Sequence, residues 1–427
     1  TLAEVLREAG YATGMAGKWH VGYRTNEWPV ARGFEHSFSV IEGAMNYYGF
    51  GIQHTGLITN PPMALDASVY LPPREGFFST DAFTDYAVRF LKQQTNGKPF
   101  FFYLAYNAPH WPLQARPETI AHYRGAYKKL GWDKVRRQRL DNLRKAGLVD
   151  TNWELAPRPP RMVAWENATP QEQDHWDLDM SIYAAQIEEM DRGVGRVLNA
   201  LKKTGAATNT LVLFLSDNGG AAENPRRSLP GAVPGTRESF EGYDLPGAHV
   251  SSAPFRKTKK FTHEGGIATP LIVRWPAGIP RSRQGGIVNT VGHIIDFMPT
   301  FAALADARFP TEWHGQKTLP PEGINLSPLF RGGAVTRPVP LFWEHEGQRA
   351  VRDGKWKLVA WDGERWELHD MDADRTEVKD IAADHPDIVR ELSEKYDAWA
   401  ARVGVKPWPV KPKQPRHTAA AKGKPSA

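Results

Sequence analysis

The 427-residue sequence predicts an α/β/α sandwich followed by a small α+β subdomain made of an antiparallel sheet and a helix. Two observations carry this. Short, nearly continuous apolar runs alternate with amphipathic helical patterns through the first three quarters of the chain. From about residue 338 the pattern changes to short strands closely spaced by turns.

The apolar runs are residues 13–16, 100–106, 210–215 and 270–273, and their continuity predicts strands buried on both faces of a largely parallel sheet. Residues 1–10 read as a helix that stops at Gly10, so the natural start of the protein is expected upstream of Thr1. Between residues 81 and 94, Ala82, Phe83, Tyr86, Ala87, Phe90 and Leu91 recur at helical spacing, and Asn96-Gly97 supplies a stop. Thr169-Pro170-Gln171-Glu172 opens another helix with a capping box and a first-turn proline. Its inward stripe is Leu178, Ile182, Ala185, Met190, Val194, Val197, Leu198 and Leu201, and Gly205 ends it.

In the C-terminal part, residues 340–344, 348–351, 356–361 and 365–368 read as strands, with Asp353-Gly354 and Asp362-Gly363 as turns. A helix follows, with Asp384 as N-cap and Ile388, Leu392, Tyr396, Trp399 and Val403 as its buried stripe. The expected division is residues 1–337 for the main domain, 338–404 for the subdomain and 405–427 for a basic disordered tail. Residues 123–145 read as a charged insertion whose cations form a solvated helical face.

Composition narrows the classes. No apolar run approaches the ~18 residues that cross a bilayer, so no membrane span is expected. Zero cysteines exclude disulfides, thiolate metal sites and a cysteine nucleophile within these residues, in either redox compartment. The net charge of +6 suits an anionic partner, but no nucleic-acid recognition motif accompanies it. Oligomeric state and localisation are left open.

Chemistry-bearing residues follow the apolar runs: Lys18 and His20 after the first, His110 after the second, Asp217 and Asn218 after the third. In open α/β sheets that edge binds ligands. Asp217-Asn218-Gly219-Gly220 offers a carboxylate and an amide oxygen, which suit a hard cation such as Ca²⁺ or Mg²⁺; as a bare tetrapeptide it is also ordinary turn chemistry. His110 sits between Pro109 and Pro112, an arrangement that would hold a proton donor's aim. Arg256, Lys257, Lys259 and Lys260 concentrate four cations ahead of residue 270, able to bind an oxyanion or simply to be solvated.

Four of these segments together resemble the sulfatase family, of arylsulfatase type within the alkaline phosphatase superfamily. They are residues 11–22 (YATGMAGKWHVG), 107–112 (NAPHWP), 216–219 (SDNG), and Lys259 ahead of His263-Glu264-Gly265-Gly266, in family order. Residues 343–358 are also similar to bacterial arylsulfatases, and the likeness runs from Thr1 to about Val403.

The resemblance implies an alkaline-phosphatase-like fold and hydrolysis of a sulfate monoester, of an aryl sulfate or a sulfated glycan, by a formylglycine with Ca²⁺ assistance. Asp217 and Asn218 match the later pair of metal ligands. Lys18 matches the lysine near the nucleophile, and His20 the base that helps expel sulfate. His110 matches the acid that protonates the leaving alcohol, and Lys259 the lysine that binds sulfate oxygens. A periplasmic or secreted location is the compartment the likeness suggests. The family's first acidic metal pair and its Cys/Ser-x-Pro-x-Arg nucleophile segment would precede Thr1, so residues 1–427 alone are expected to be inactive. Ser252-Ala-Pro-Phe-Arg256 fits the nucleophile pattern only literally. A phosphoester or phosphonate hydrolase of the same superfamily and a non-catalytic binder of sulfated glycans are the rival expectations.

Overall fold

The computed structural model describes residues 1–94, 97–361 and 363–409; the expected turn residues Asn96 and Asp362 and most of the expected tail lie outside them. Its central sheet has five strands, in the order Ser68–Tyr70, Met63–Leu65, His36–Val40, Ala12–Lys18, Phe100–Ala105. Ala12–Lys18 is parallel to both neighbours, with Gly14 opposite His36 on one side and Phe102 on the other.

The two remaining pairings are antiparallel, so the sheet is mixed rather than largely parallel. Connectivity explains the difference. Parallel strands need a crossover of a dozen or more residues, usually helical, whereas Met63–Leu65 and Ser68–Tyr70 are joined by a tight turn at Asp66, whose φ is 52°.

The strands expected at 210–215 and 270–273 form Val212–Phe214 and Ile272–Arg274, which pair antiparallel with each other in a separate ribbon. Val212 still packs in one apolar cluster with Phe100, Phe102 and Phe90, which sets the ribbon beside the sheet. Among the described residues Phe100–Ala105 pairs only with Ala12–Lys18, and Val212–Phe214 only with Ile272–Arg274. Tyr103, Phe214 and Ile272 are exposed along this side.

Helices cover both faces. Helix Leu2–Glu8, capped by Thr1 and Glu4, packs Ala3 against Met15 and Phe34, and on the same side the Phe101 ring lies 6.2 Å from Phe301 of helix Phe297–Leu304. On the other face, helix Ser79–Gln93 buries Phe83, Tyr86 and Phe90 against Ala16, Phe38 and Phe102. Helix Pro170–Lys203 closes that layer; Thr169 Oγ1 accepts from Glu172 N at 3.2 Å and Thr169 N donates to the Glu172 carboxylate at 2.8 Å. No helix among the described residues is long and apolar enough to cross a membrane.

The charged segment 123–145 contributes helix Ala126–Lys145, whose outer face is solvated. Arg136 departs from the expected pattern: it is buried and donates to the carbonyls of His249 and Ala156. The C-terminal strands Leu341–His345, Gln348–Asp353, Trp356–Ala360 and Glu367–Asp370 form an antiparallel sheet in chain order. Helix Pro386–Val403 lays Leu392 and Tyr396 on Val351, Leu358 and Leu368. Its N-cap is His385 rather than Asp384, because Pro386 takes the first helical position. Val403 is 47% exposed, unlike the rest of the expected stripe, because the helix's packing on the sheet ends at Trp399 and Ala400.

Candidate active site

Lys18 ends the strand Ala12–Lys18, and Trp19 and His20 continue beside the neighbouring strand, their amides donating to Val40 and Ile41 carbonyls at 2.9 and 3.1 Å. His20 has φ 54°, a left-handed backbone that a non-glycine residue adopts at a cost of about 1–3 kcal/mol. His110 follows the strand Phe100–Ala105 on a turn whose carbonyls at Asn107 and His110 both accept from the buried Tyr47 hydroxyl, each at 2.9 Å. Asp217 and Asn218 follow Val212–Phe214.

Lys259 lies far along the chain and reaches the same edge through backbone contacts. Its amide donates to Gly220 O at 2.9 Å, and Gly219 N donates to Gly266 O at 3.0 Å. At Gly219 a Cβ would lie 1.8 Å from Gly265 O, so only glycine allows the 216–220 turn to meet the 256–266 loop this closely. Lys257 and Lys260 flank Lys259 with φ of 67° and 79°, which shows how tightly that loop is wound.

Lys259 Nζ lies 3.0 Å from His110 Nε2. His110 Nδ1 is 2.8 Å from Trp111 O, so Nδ1 carries the hydrogen and Nε2 is the acceptor for Lys259. Burial pushes the His110 imidazole down to about 4, and the charges of Lys259 and Lys18 push the same way. Burial also lowers Lys18, opposed by Asp217 and assisted by Lys259. His20 is lowered by burial and then by Lys18, Lys259 and His54, so both imidazoles are neutral at pH 7.

Neither Lys18 nor Lys259 has a carboxylate ion-pair partner among the described residues, which leaves an excess of positive charge facing His110. Asn218 Nδ2 donates to Gly219 O at 2.8 Å, leaving its Oδ1 to accept or to ligate. Asp217 and Asn218 thus present hard oxygen donors of the kind Ca²⁺ or Mg²⁺ takes. They supply part of the six or more ligands Ca²⁺ uses; no group of three or more His, Cys, Asp or Glu side chains poised for a metal occurs among the described residues.

The structure thus brings Lys18, His20, His110, Lys259, Asp217 and Asn218 to one edge. Ser252-Ala-Pro-Phe-Arg256 has other work: Ser252 is buried and accepts from Gly220 N at 3.1 Å, while Arg256 forms a two-pronged pair with Glu367.

Sequence reasoning did not find what holds the Lys259 loop. Glu264 is buried, receives Lys357 Nζ at 2.6 Å and Arg375, and donates its amide to Glu377 at 2.7 Å. Lys357 is fully buried between Glu264 and Glu377, the latter at 2.7 Å. The only advance signal was Glu264's place in His263-Glu-Gly-Gly266, whose partners lie about 100 residues on. Glu223, whose charge acts on His110, and the pair Glu42 and His54 were likewise not anticipated.

Two lysines with no carboxylate ion pair among the described residues, beside the Asp217 carboxylate and the Asn218 amide oxygen at the strand ends of an α/β/α fold, suit an ester of a tetrahedral oxyanion. The chain's relatives narrow that class. Residues 1–307 match the family described as Sulfatase, and residues 256–401 that described as N-sulphoglucosamine sulphohydrolase, C-terminal.

An uncharacterised sulfatase of Schizosaccharomyces pombe is 33% identical, over 95% of this chain and 77% of the relative. An arylsulfatase of Klebsiella aerogenes is 32% identical over 77% of this chain and 72% of its own. The N-acetylgalactosamine-6-sulfatase of Canis lupus familiaris is 27% identical over 84% of this chain but 54% of its own. Among solved structures, Ps i-CgsB in complex with k-i-k-neocarrahexaose superposes with TM-score 0.64 at 25% identity, covering 93% of this chain and 73% of that one. The phosphonate monoester hydrolase of Agrobacterium radiobacter shares the fold at TM-score 0.54 and 17% identity, covering 94% of this chain and 80% of that one. The chain belongs to the sulfatase family and is a sulfuric ester hydrolase.

Proposed function

We propose that the protein hydrolyses a sulfate monoester, an aryl sulfate or a sulfated glycan, through a formylglycine carried by a segment outside these 427 residues, with Ca²⁺ or Mg²⁺ assistance. The observation that supports this best is the Lys259–His110 contact of 3.0 Å, with Lys18 close enough for its charge to act on both.

In this reading Lys18 and Lys259 bind sulfate oxygens and offset negative charge that develops on the transferring group. In the free protein Lys259 Nζ donates to His110 Nε2, and in this reading Nε2, once protonated, would turn that proton over to the leaving alcohol oxygen. His110 is neutral in the free protein, and a bound anion raises its affinity for that proton. His20, whose imidazole is held below its ordinary value by burial and by Lys18 and Lys259, can accept a proton at the same site. Asp217 and Asn218 would hold the cation, whose chemistry is to neutralise and orient the sulfate. The hydrated aldehyde of formylglycine would supply the attacking oxygen.

The test has two parts. Coding DNA upstream of Thr1 should specify an acidic pair and then Cys- or Ser-x-Pro-x-Arg. The full-length protein should hydrolyse p-nitrophenyl sulfate in preference to p-nitrophenyl phosphate, and lose that activity on chelation. Preference for the phosphate ester moves the assignment to phosphoester hydrolysis. An upstream frame without the motif, with metal-independent glycan binding and no turnover, makes the protein a binder.

A further inference from the structure

The residues above account for the sulfate group but leave the alcohol portion of the ester without a partner. Next to His20 the strand His36–Val40 runs on into Ile41, Glu42 and Gly43. Gly43 packs so closely on His20 that a Cβ there would lie 2.5 Å from the imidazole. Glu42 is therefore held beside the reacting groups. Its Oε2 lies 3.1 Å from His54 Nδ1, and both side chains are partly exposed, at 28% and 36%.

His54 does not sit on a loose loop. It is at the turn of a hairpin, Gly51–Ile52 with Ile58–Thr59, that two buried amides fix from within. Gln53 Nε2 donates to the carbonyls of Gly49 and Thr59 at 2.9 and 3.1 Å. Asn46 donates to those of Ile52 and Arg237 at 3.1 and 2.7 Å. His54 is close enough to His20 for its charge to act on that imidazole, and the Tyr23 ring, 63% exposed, meets the His20 ring edge-on at 6.5 Å.

We propose that Glu42, His54 and Tyr23 form a subsite for a neutral, hydroxylated ring, the sugar that bears the sulfate. This rests on the sulfuric-ester reading for its place next to the reaction. The chemistry follows from the groups. Glu42 Oε2 is taken up by His54 Nδ1 at 3.1 Å, so its second carboxylate oxygen remains to accept from a ligand, and His54 Nε2 is a further polar atom beside it. Acceptors suit hydroxyl donors, and the carboxylate repels a second sulfate, so the ring portion here is uncharged. Tyr23 supplies an exposed aromatic face of the kind on which a ring's C–H groups rest.

The experiment uses the full-length protein and its Glu42→Gln and His54→Ala variants, with methyl β-galactoside 6-sulfate and p-nitrophenyl sulfate as paired substrates. The ratio of kcat/KM for the sugar ester over the aryl ester should fall about tenfold in each variant, carried by KM. Equal losses on both esters, or none on either, overturn the proposal. A thermal melt of each variant checks folding, and Tyr23→Ala, at an exposed position, provides a variant that does not touch the hairpin. Should the wild type hydrolyse neither ester, the sulfuric-ester reading fails separately. The subsite is then decided by NMR titration with unsulfated methyl β-galactoside, which should shift the His54 imidazole signals in the wild type and not in Glu42→Gln; unmoved signals overturn it.

Discussion

Two clusters of charge in this molecule are built from the same residue types and do opposite things. At the strand ends Lys18 and Lys259 face His110 with no carboxylate ion-paired to either among the described residues. At the junction with the C-terminal sheet, Lys357, Arg375 and Arg256 each meet carboxylates of Glu264, Glu377 or Glu367, and His369 meets Asp374 at 3.2 Å. Buried charge is costly unless paired. The junction satisfies that demand within the chain, whereas the strand ends leave it to an anion from outside. What distinguishes a structural ion cluster from a binding site here is the sum of charges, not their number.

Replacing one lysine in each cluster puts that contrast to its hardest test. Lys357→Met strands Glu264 and Glu377 in the interior and should cost about 3–5 kcal/mol, read from the urea midpoint. Lys259→Met removes a repulsive charge and should leave the midpoint within about 0.5 kcal/mol while weakening sulfate binding. Similar midpoints for the two variants would erase the distinction.

The junction should also show in the pH dependence of stability. Burial alone would lower His369, but hydrogen bonds to Asp374 and Glu367 outweigh it and raise the imidazole to about 9. A group raised above its unfolded value near 6.5 stabilises fully below that pH, and the contribution declines to nothing as pH climbs past the folded value. About 3 kcal/mol should therefore be lost between pH 6.5 and 9, and Asp374→Asn should remove most of that slope.

The strand ends should respond in a different currency. Lys259→Met or saturating sulfate should each move His110 upward from about 4, because one removes a cation and the other adds an anion; imidazole NMR resolves it. The smallest effect is on stability: sulfate at ten times its Kd should add about 1.4 kcal/mol to the wild type and much less to Lys259→Met.

Much of the fold was legible because it is local. The capping box at Thr169 and the stripe through Ile182 and Leu201 depend on neighbours within a few residues, and both appear as read. The site edge was legible because its side chains follow strands directly. Strand pairing was not: whether residues 210–215 join the main sheet depends on partners elsewhere, and an apolar run has no record of direction. Lys357 was invisible for the same reason. In sequence, Trp356-Lys-Leu-Val is a strand with an ordinary lysine, and its burial is dictated by Glu264, 93 residues earlier. His385 and Val403 show how helix ends shift by a residue or a turn when a proline or the limit of a packing surface intervenes.

The junction also sets a schedule. Lys259 is presented by a loop anchored to side chains at 357, 367, 375 and 377, which leave the ribosome about 100 residues later. A nascent chain that has made the early strands holds Lys18 and His110 but cannot yet fix the second lysine, so anion capture waits for nearly the whole polypeptide. A ribosome-stalled chain ending at residue 340 should accordingly show no protection by sulfate against proteolysis, whereas one released at full length should.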